Sequence, residues 1–335
     1  MIPNNFSIGR LALTSFSKFP SLRFRDKDIT VHNAGDAAKC SRQITYKALK
    51  YPESNPTDTL GQFRMRFGSW LEKGLMYDIF DKLAPFGVFK LATQGDCGEH
   101  GTFYGTSWHG YRDLDVALRM IDGKLKCAVI EIKTKVGYGA TATLKENAWS
   151  KDFIIPQPDQ DWGQSQQLAL YLRDAYNKTK DSPNFSTPIQ DGILLQLLYG
   201  DGIACFVEYF FEYLPEEDAA RCYRVHCEEY PQCSAPLDIK IPLKEIADRW
   251  KKCDGYLEKG ELAPPDYQRK YSLDDPRIDE VTKTDLTKAT QNKKLLGDKQ
   301  CAYCSYRDKC AEDLGISLEY TPAEIGRLKQ CLKNR

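Results

Sequence analysis

Tyr111-Arg112-Asp113-Leu114-Asp115, then Asp122-Gly123, then Val129-Ile130-Glu131-Ile132-Lys133: the reading of this run decides the fold. An Asp-Gly pair between two apolar runs is a strong hairpin signal, so strands are predicted over 111–120 and 126–133. Side chains alternate along a strand. Glu131 and Lys133 therefore point to one face and Ile130 and Ile132 to the other, and Asp113 shares a face with Asp115. A hairpin sets the two strands side by side, where carboxylates and a lysine converge. Such a set suits Mg²⁺ or Mn²⁺, which take hard oxygen ligands. Ordinary solvated charges on a sheet edge give the same pattern, and the strand pair alone does not separate the two.

Upstream, Phe67, Trp70, Leu71, Leu75, Ile79 and Leu83 recur at three- and four-residue steps. That is one apolar stripe of a helix, beginning near Phe63 and stopped by Pro85 and Gly87. Further strands are predicted over 88–93, 102–107, 192–199 and 203–213, the last two joined through Gly200-Asp201-Gly202. Residues 134–160 read as a long loop, and loops of that length are uncommon unless functional. A helix over 162–176 carries Leu168, Leu172 and Ala175 on one side, with Gln167 and Tyr171 at i and i+4. Residues 243–257 read as a helix, 259–300 as a polar, Lys-rich, loosely packed segment, and a short helix starts at Pro322. This order predicts an α/β fold with a central mixed sheet flanked by helices.

The chain has 335 residues, roughly two domains at about 150 residues each. Hydrophobic residues make up 41%, which excludes a disordered chain. The longest apolar runs, 192–199 and 203–211, are too short for a membrane helix of roughly 20 residues, so no membrane partner is expected. Lys plus Arg equals Asp plus Glu at 47 each, which excludes a uniformly basic coat but not a local basic groove. Residues 18–50 hold eight Lys or Arg against three Asp. The first 25 residues carry Arg10, Lys18, Arg23 and Arg25 and no acid; they read as a basic arm in a cytoplasmic protein, with an organelle transit peptide as the alternative.

There are 12 cysteines. A long chain with unevenly spaced cysteines points to a reducing compartment and to metal or cluster binding. Cys301-x-x-Cys304 followed by Cys310 supplies three close thiols, and Cys40 supplies a fourth. Four thiolates bind a structural zinc or an iron–sulfur cluster. Cys222, Cys227 and Cys233 beside His226, and Cys97-x-x-His100, have metal-like spacing but read as scattered thiols. Cys127 reads as a buried small hydrophobe.

The combination resembles the PD-(D/E)XK nuclease superfamily, and within it the RecB-type branch with an iron–sulfur cluster, which includes CRISPR-associated RecB-like exonucleases and the AddB nuclease domain. Cys40-Ser41-Arg42 with Tyr46 is similar to that branch's Cys-Pro-Arg with a nearby Tyr. Gly110-x-x-Asp113 is similar to its Gly-x-x-Asp, Glu131-Ile132-Lys133-Thr134 to its Glu/Asp-x-Lys-Thr, Gln167-x-x-x-Tyr171 to its Gln-x-x-x-Tyr, and Cys301-x-x-Cys304-x5-Cys310 to its trailing cysteines. The likeness spans about residues 33–312 and lies in the order and spacing of the motifs together. The branch often has a metal-binding His on the helix before the strands; here Gly68-Ser69-Trp70-Leu71-Glu72 has none, and Glu72 stands in its place.

The resemblance implies a restriction-endonuclease-like core over 61–240, an N-terminal arm over 1–60 with the first cluster cysteine, and a helical, cysteine-bearing region over 241–335 stapled to it. It implies Mg²⁺ or Mn²⁺ held by Glu72, Asp113, Glu131 and the Ile132 carbonyl, with Asp115 and His109 as alternative ligands. Asp113, Glu131, Lys133, Gln167 and Tyr171 would be catalytic. Cys40, Cys301, Cys304 and Cys310 would hold a 4Fe–4S cluster. The expected partner is DNA, single-stranded and cut from a free end, touched by Arg42, Tyr138 and Trp149. Recombination proteins or CRISPR adaptation proteins are expected companions, in a phage-encoded or cellular setting. Two other readings stay open: a non-cleaving, cluster- or zinc-bearing DNA-binding module, and a restriction endonuclease.

Overall fold

The computed structural model describes residues 31–145, 152–158, 163–291 and 294–334. The chain divides into two units: one takes the described residues up to Ala38 with Asp58–Lys251, the other Lys39–Thr57 with Lys252–Arg335. The strands are β1 (Val31–Asn33), β2 (Val88–Phe103), β3 (Thr106–Arg119), β4 (Leu125–Val136), β5 (Asp191–Gly200), β6 (Ile203–Leu214), β7 (Ala219–His226) and β8 (Ala235–Pro242). The helices are α1 (Ser41–Ala48), α2 (Thr59–Leu83), α3 (Tyr138–Leu144), α4 (Gln164–Thr179), α5 (Leu243–Leu257), α6 (Lys283–Thr290), α7 (Lys299–Ala302), α8 (Arg307–Asp313) and α9 (Pro322–Lys333).

The first unit is α/β. Its strands form one sheet in the order β1-β3-β4-β5-β6-β7-β8, with β2 also on β3. The hairpin through Asp122-Gly123 is present: β3 and β4 are antiparallel, and Gly123, at φ +78°, donates to Met120 O in the turn. β4 and β5 run parallel, and β5 to β8 are antiparallel, so the sheet is mixed. Helices pack on both faces. Met76 of α2 lies in a buried cluster with Leu114, Ile130, Ile132 and Leu195. On β5, Gly192 points to the opposite face from Leu195, and a Cβ there would lie 2.9 Å from Leu172 of α4. No helix among the described residues is long and apolar enough to cross a membrane.

Four expectations change. The strand expected over 102–107 is a turn: Tyr104 and Gly105 have φ of +53° and +87°, the two positive angles of a tight hairpin turn, and β2 extends to Phe103 with an irregularity in its pairing between Glu99 and Phe103. Only part of the stripe on α2 is buried: Leu75 packs against the cluster that holds Met76, whereas Phe67 and Trp70 are exposed. The segment 134–160 is not one long loop: β4 continues to Val136, and α3 follows at once. The segment 259–300 does not pack loosely, because Ile278, Leu286, Ala289 and Leu296 form a core of the second unit with Tyr320 and Leu328. A few apolar residues separated by lysines were enough to build it. β7 and β8 were not anticipated.

Candidate active site

β3 and β4 pair from Arg119–Leu125 to Leu114–Ile130, and there the ladder stops. The next residue on β3 is Asp113. Its carboxylate, rather than a backbone carbonyl, accepts the Ile132 N–H at 2.9 Å. On its other edge β4 places Glu131 beside Leu194 and Lys133 beside Gln196. Glu131 is 1% exposed. Its Oε1 accepts from Lys133 Nζ, and its Oε2 has no hydrogen-bond partner. A buried carboxylate oxygen without a partner is costly. Burial first and the Asp113 carboxylate second push the Glu131 carboxyl up to about 8, against the pull of Lys133.

Glu72 of α2 joins this group, raising the pKa of both Glu131 and Lys133. The close approach of α2 depends on Gly68: a Cβ there would sit 2.8 Å from Thr134 Oγ1 on β4. Glu72 is one helical turn on, on the same face. Burial acts to lower the Lys133 pKa, but Glu131, Asp113 and Glu72 outweigh it and hold the ammonium above its ordinary value. Its side chain is 23% exposed, and Glu72 is half-buried too, so solvent reaches the group at these two residues while Asp113 and Glu131 are buried. Glu72, Asp113 and Glu131 are carboxylates of the kind Mg²⁺ and Mn²⁺ take; their oxygens do not all lie within 4.8 Å of one another, and the unpartnered Glu131 Oε2 is the atom such an ion would satisfy.

Gln167 and Tyr171 meet as expected: Gln167 Nε2 donates to Tyr171 Oη at 2.8 Å. Burial first, then Glu131, raises the Tyr171 pKa well above its ordinary value, so the hydroxyl keeps its proton. The motif glycine gains a physical reason here. A Cβ on Gly110 would lie 2.7 Å from Tyr171 Cε1 and 2.9 Å from Ala34 Cβ. Gly110→Ala is therefore expected to destabilise the fold by about 1–3 kcal/mol through overpacking, measured by urea denaturation; unchanged stability would show that Tyr171 does not press on β3.

Asp115 does not join the carboxylate group. Arg112 Nε donates to its two oxygens at 3.0 and 3.1 Å, and Arg112 Nη1 reaches Asp174 of α4 at 2.6 Å. Lys178 also pairs with Asp174. This buried network ties β3 to α4, and it was not anticipated because Arg112 reads as one more charge among aspartates. His109 lies four residues from Asp113, roughly 13 Å along the strand, opposite Asn33 and Gly98; it is not a ligand of this group. Gln196, fully buried beside Lys133, donates to Gln164 at 2.8 Å and was also missed. Tyr138 opens α3 and is 66% exposed. Trp149 lies outside the described residues. Phe153, expected in the same loop, stacks on Tyr230 at 4.8 Å beneath Lys145, so it is packed rather than presented.

In the second unit, Cys40, Cys301, Cys304 and Cys310 line one cavity of about 160 Å³. Cys40 precedes α1, and its sulfur accepts the Asp266 N–H at 3.3 Å. Burial, then Cys40 and Cys304, pushes the Cys301 thiol up to about 12; burial, with Cys40 and Cys304 adding to it, pushes Cys310 up to about 11. The four thiols therefore line one space, without any three of their sulfurs lying within 4.8 Å of one another. Arg42 is corrected from a DNA contact to an internal strut: its guanidinium donates to Tyr46 Oη at 3.2 Å and Ala263 O at 3.3 Å, and pairs with Asp313 at 3.5 Å. Tyr46 in turn donates to Asp313 at 2.5 Å and stacks on Tyr306.

The chain matches no protein-family model and no curated protein. Among solved structures it is similar to the crystal structure of SSO0001, with 17% identity over 75% of this chain and 86% of the other, at a TM-score of 0.36. Likeness of that degree carries no argument about chemistry.

Proposed function

We propose that this chain is a divalent-metal-dependent DNA exonuclease of the RecB-type PD-(D/E)XK branch, with an iron–sulfur cluster in its second unit. The observation that carries the reading is Glu131 Oε2, buried and without a partner beside Asp113, Glu72 and Lys133. Glu72, Asp113 and Glu131 would hold Mg²⁺ or Mn²⁺, with the Ile132 carbonyl as a further donor. When bound, such an ion lowers the pKa of water and offsets charge developing on the phosphate. Asp113 holds Ile132 N–H and so fixes β4 where Glu131 and Lys133 leave it. Lys133 keeps its charge at the exposed rim, where it orients the attacking water and binds a phosphate oxygen. Tyr171 accepts from Gln167, and its retained proton remains a donor at the buried side of the group.

Cys40, Cys301, Cys304 and Cys310 would hold the cluster in a structural role, tying α1 to α7 and α8. DNA would be taken as a single strand from a free end, the 5′ end before the 3′ end. Tyr138 supports this choice: it is exposed and follows β4 closely, and stacking on an unpaired base is worth about 1–3 kcal/mol. Tyr138→Ala is expected to weaken binding of a single-stranded oligonucleotide roughly 5- to 100-fold, measured by fluorescence anisotropy; unchanged affinity removes Tyr138 from the DNA path. The reading itself is tested with linear and covalently closed single-stranded DNA in Mn²⁺. Linear strands are expected to be degraded and circles to resist. Equal cutting of circles makes the protein an endonuclease, and no cutting of either, with DNA still bound, makes it a binding module.

A further inference from the structure

A second group of thiols lies in the sheet unit, apart from the carboxylate group and from the cysteines of the second unit. Cys205 is on β6. Cys227 follows β7 directly, and Cys233 ends the single 3₁₀ turn that leads into β8. All three are buried, at 2%, 0% and 0% exposure. The sulfurs of Cys205 and Cys227 and a carboxylate oxygen of Glu229 all lie within 4.8 Å of one another. Glu229 is exposed in the bend just before that turn, and its Oε2 also accepts the Phe206 N–H at 3.4 Å.

We propose that Cys205, Cys227 and Cys233, with Glu229, form a structural zinc site that fastens the β7–β8 connection to β6. Three features carry it. The donor set is soft thiolate with one carboxylate, which is zinc chemistry and not that of Mg²⁺. The spacing suits three of the four: at Zn–S of about 2.3 Å, tetrahedral ligand atoms lie roughly 3.8 Å apart, and Cys205, Cys227 and Glu229 fall within 4.8 Å of one another, while Cys233 lies outside that set and would have to close on the ion as the fourth ligand. The local backbone is shaped for a charged sulfur. The backbone N–H groups of Glu229 and Tyr230 hydrogen-bond Cys227 Sγ and lower its pKa, though burial outweighs them in the metal-free chain. Such donors orient and stabilise a ligating thiolate. Cys233 is coupled electrostatically to Cys227 and Cys205. It is placed by Cys233 N–H donating to Tyr230 O at 2.8 Å and by Ser234 Oγ accepting Cys227 N–H at 2.9 Å. His226 is excluded as a ligand: its Nε2 lies 3.3 Å from Glu228 and its Nδ1 3.4 Å from Ser234 Oγ.

This proposal is independent of the nuclease reading. Full-length protein, purified anaerobically, is analysed for iron and zinc in the same sample, and then titrated with Zn²⁺ alone against a chromophoric chelator. One zinc per chain, retained when the iron is absent, is expected in the wild type. Cys227→Ser is expected to lose that zinc. Glu229→Gln lies at the surface and leaves the core intact, so it keeps the test usable if Cys227→Ser does not fold. It is expected to weaken zinc binding at least tenfold and to change the visible spectrum of the Co²⁺-substituted site. A wild type that takes up no zinc, a Cys205–Cys227 disulfide in the native protein, or Glu229→Gln with unchanged affinity and spectrum would each overturn the site.

Discussion

Glu131→Gln is expected to lower DNA cleavage at least a thousand-fold while leaving the fold intact. The glutamine keeps the shape of the side chain and removes the charge that Lys133, and any divalent ion, would meet. The same substitution carries a stability signature that does not depend on activity. In the metal-free protein burial raises the Glu131 carboxyl from 4.5 to about 8, so the folded state holds a proton that the unfolded state has released. Where the folded state binds more protons, stability falls as pH rises. The metal-free wild type should therefore lose stability between about pH 4.5 and 8, and Glu131→Gln should flatten that loss. Mn²⁺ should restore stability to the wild type at the upper end of the window and do nothing for the variant. Thermal melts across that range, with and without Mn²⁺, measure this. Identical pH profiles for the two proteins would mean that Glu131 is not the strained group described above.

Cys304→Ser is expected to abolish iron binding and lower the melting temperature of the wild-type protein by roughly 5–10 °C. The four thiols come from the residue just before α1 and from the stretch of α7 and α8, far apart in sequence. Linking them closes a long loop, which restrains the unfolded chain, and the binding energy of the bound group is folding energy. A loss of a few kcal/mol corresponds to that shift for a chain of this size. The Cys301, Cys304 and Cys310 thiols are raised by burial and by neighbouring thiols, so these three favour the protonated form without a bound group and loading should release protons. Iron and sulfide analysis with a melting curve checks the expectation. Unchanged iron content in Cys304→Ser would remove that residue from the ligand set, and a wild type without iron whose zinc content falls in Cys304→Ser would make the site a zinc site.

The hairpin, the mixed sheet and the Gln167–Tyr171 pair were legible because each rests on local rules: a turn dipeptide, strand alternation, and helix spacing. The environment of each acid was not. Asp113 and Asp115 look equivalent along β3, yet one takes a backbone N–H of β4 and the other is claimed by Arg112. That choice depends on Asp174, which sits on a different element. Glu72 could be proposed only as a substitute for a missing His, since its meeting with Lys133 requires the contact of α2 with Thr134 at Gly68. Arg42 read as a phosphate contact because an arginine beside a basic arm usually faces solvent; its partners Ala263 and Asp313 lie more than 200 residues away. The Cys205–Cys227–Glu229 group was only half legible: Cys227 stood out beside Cys222, Cys233 and His226, but Cys205 comes from a neighbouring strand and has no sequence pattern linking it to the others.

The most direct test is a time course of a labelled linear single-stranded oligonucleotide with the fully loaded protein, as Mn²⁺ is added, removed with EDTA, and added again. Degradation should begin with Mn²⁺, stop with EDTA and resume with excess Mn²⁺, and Glu131→Gln should stay inactive throughout. Cleavage that continues in EDTA, or that survives in Glu131→Gln at the wild-type rate, would contradict a divalent ion held by Glu72, Asp113 and Glu131 as the basis of the reaction.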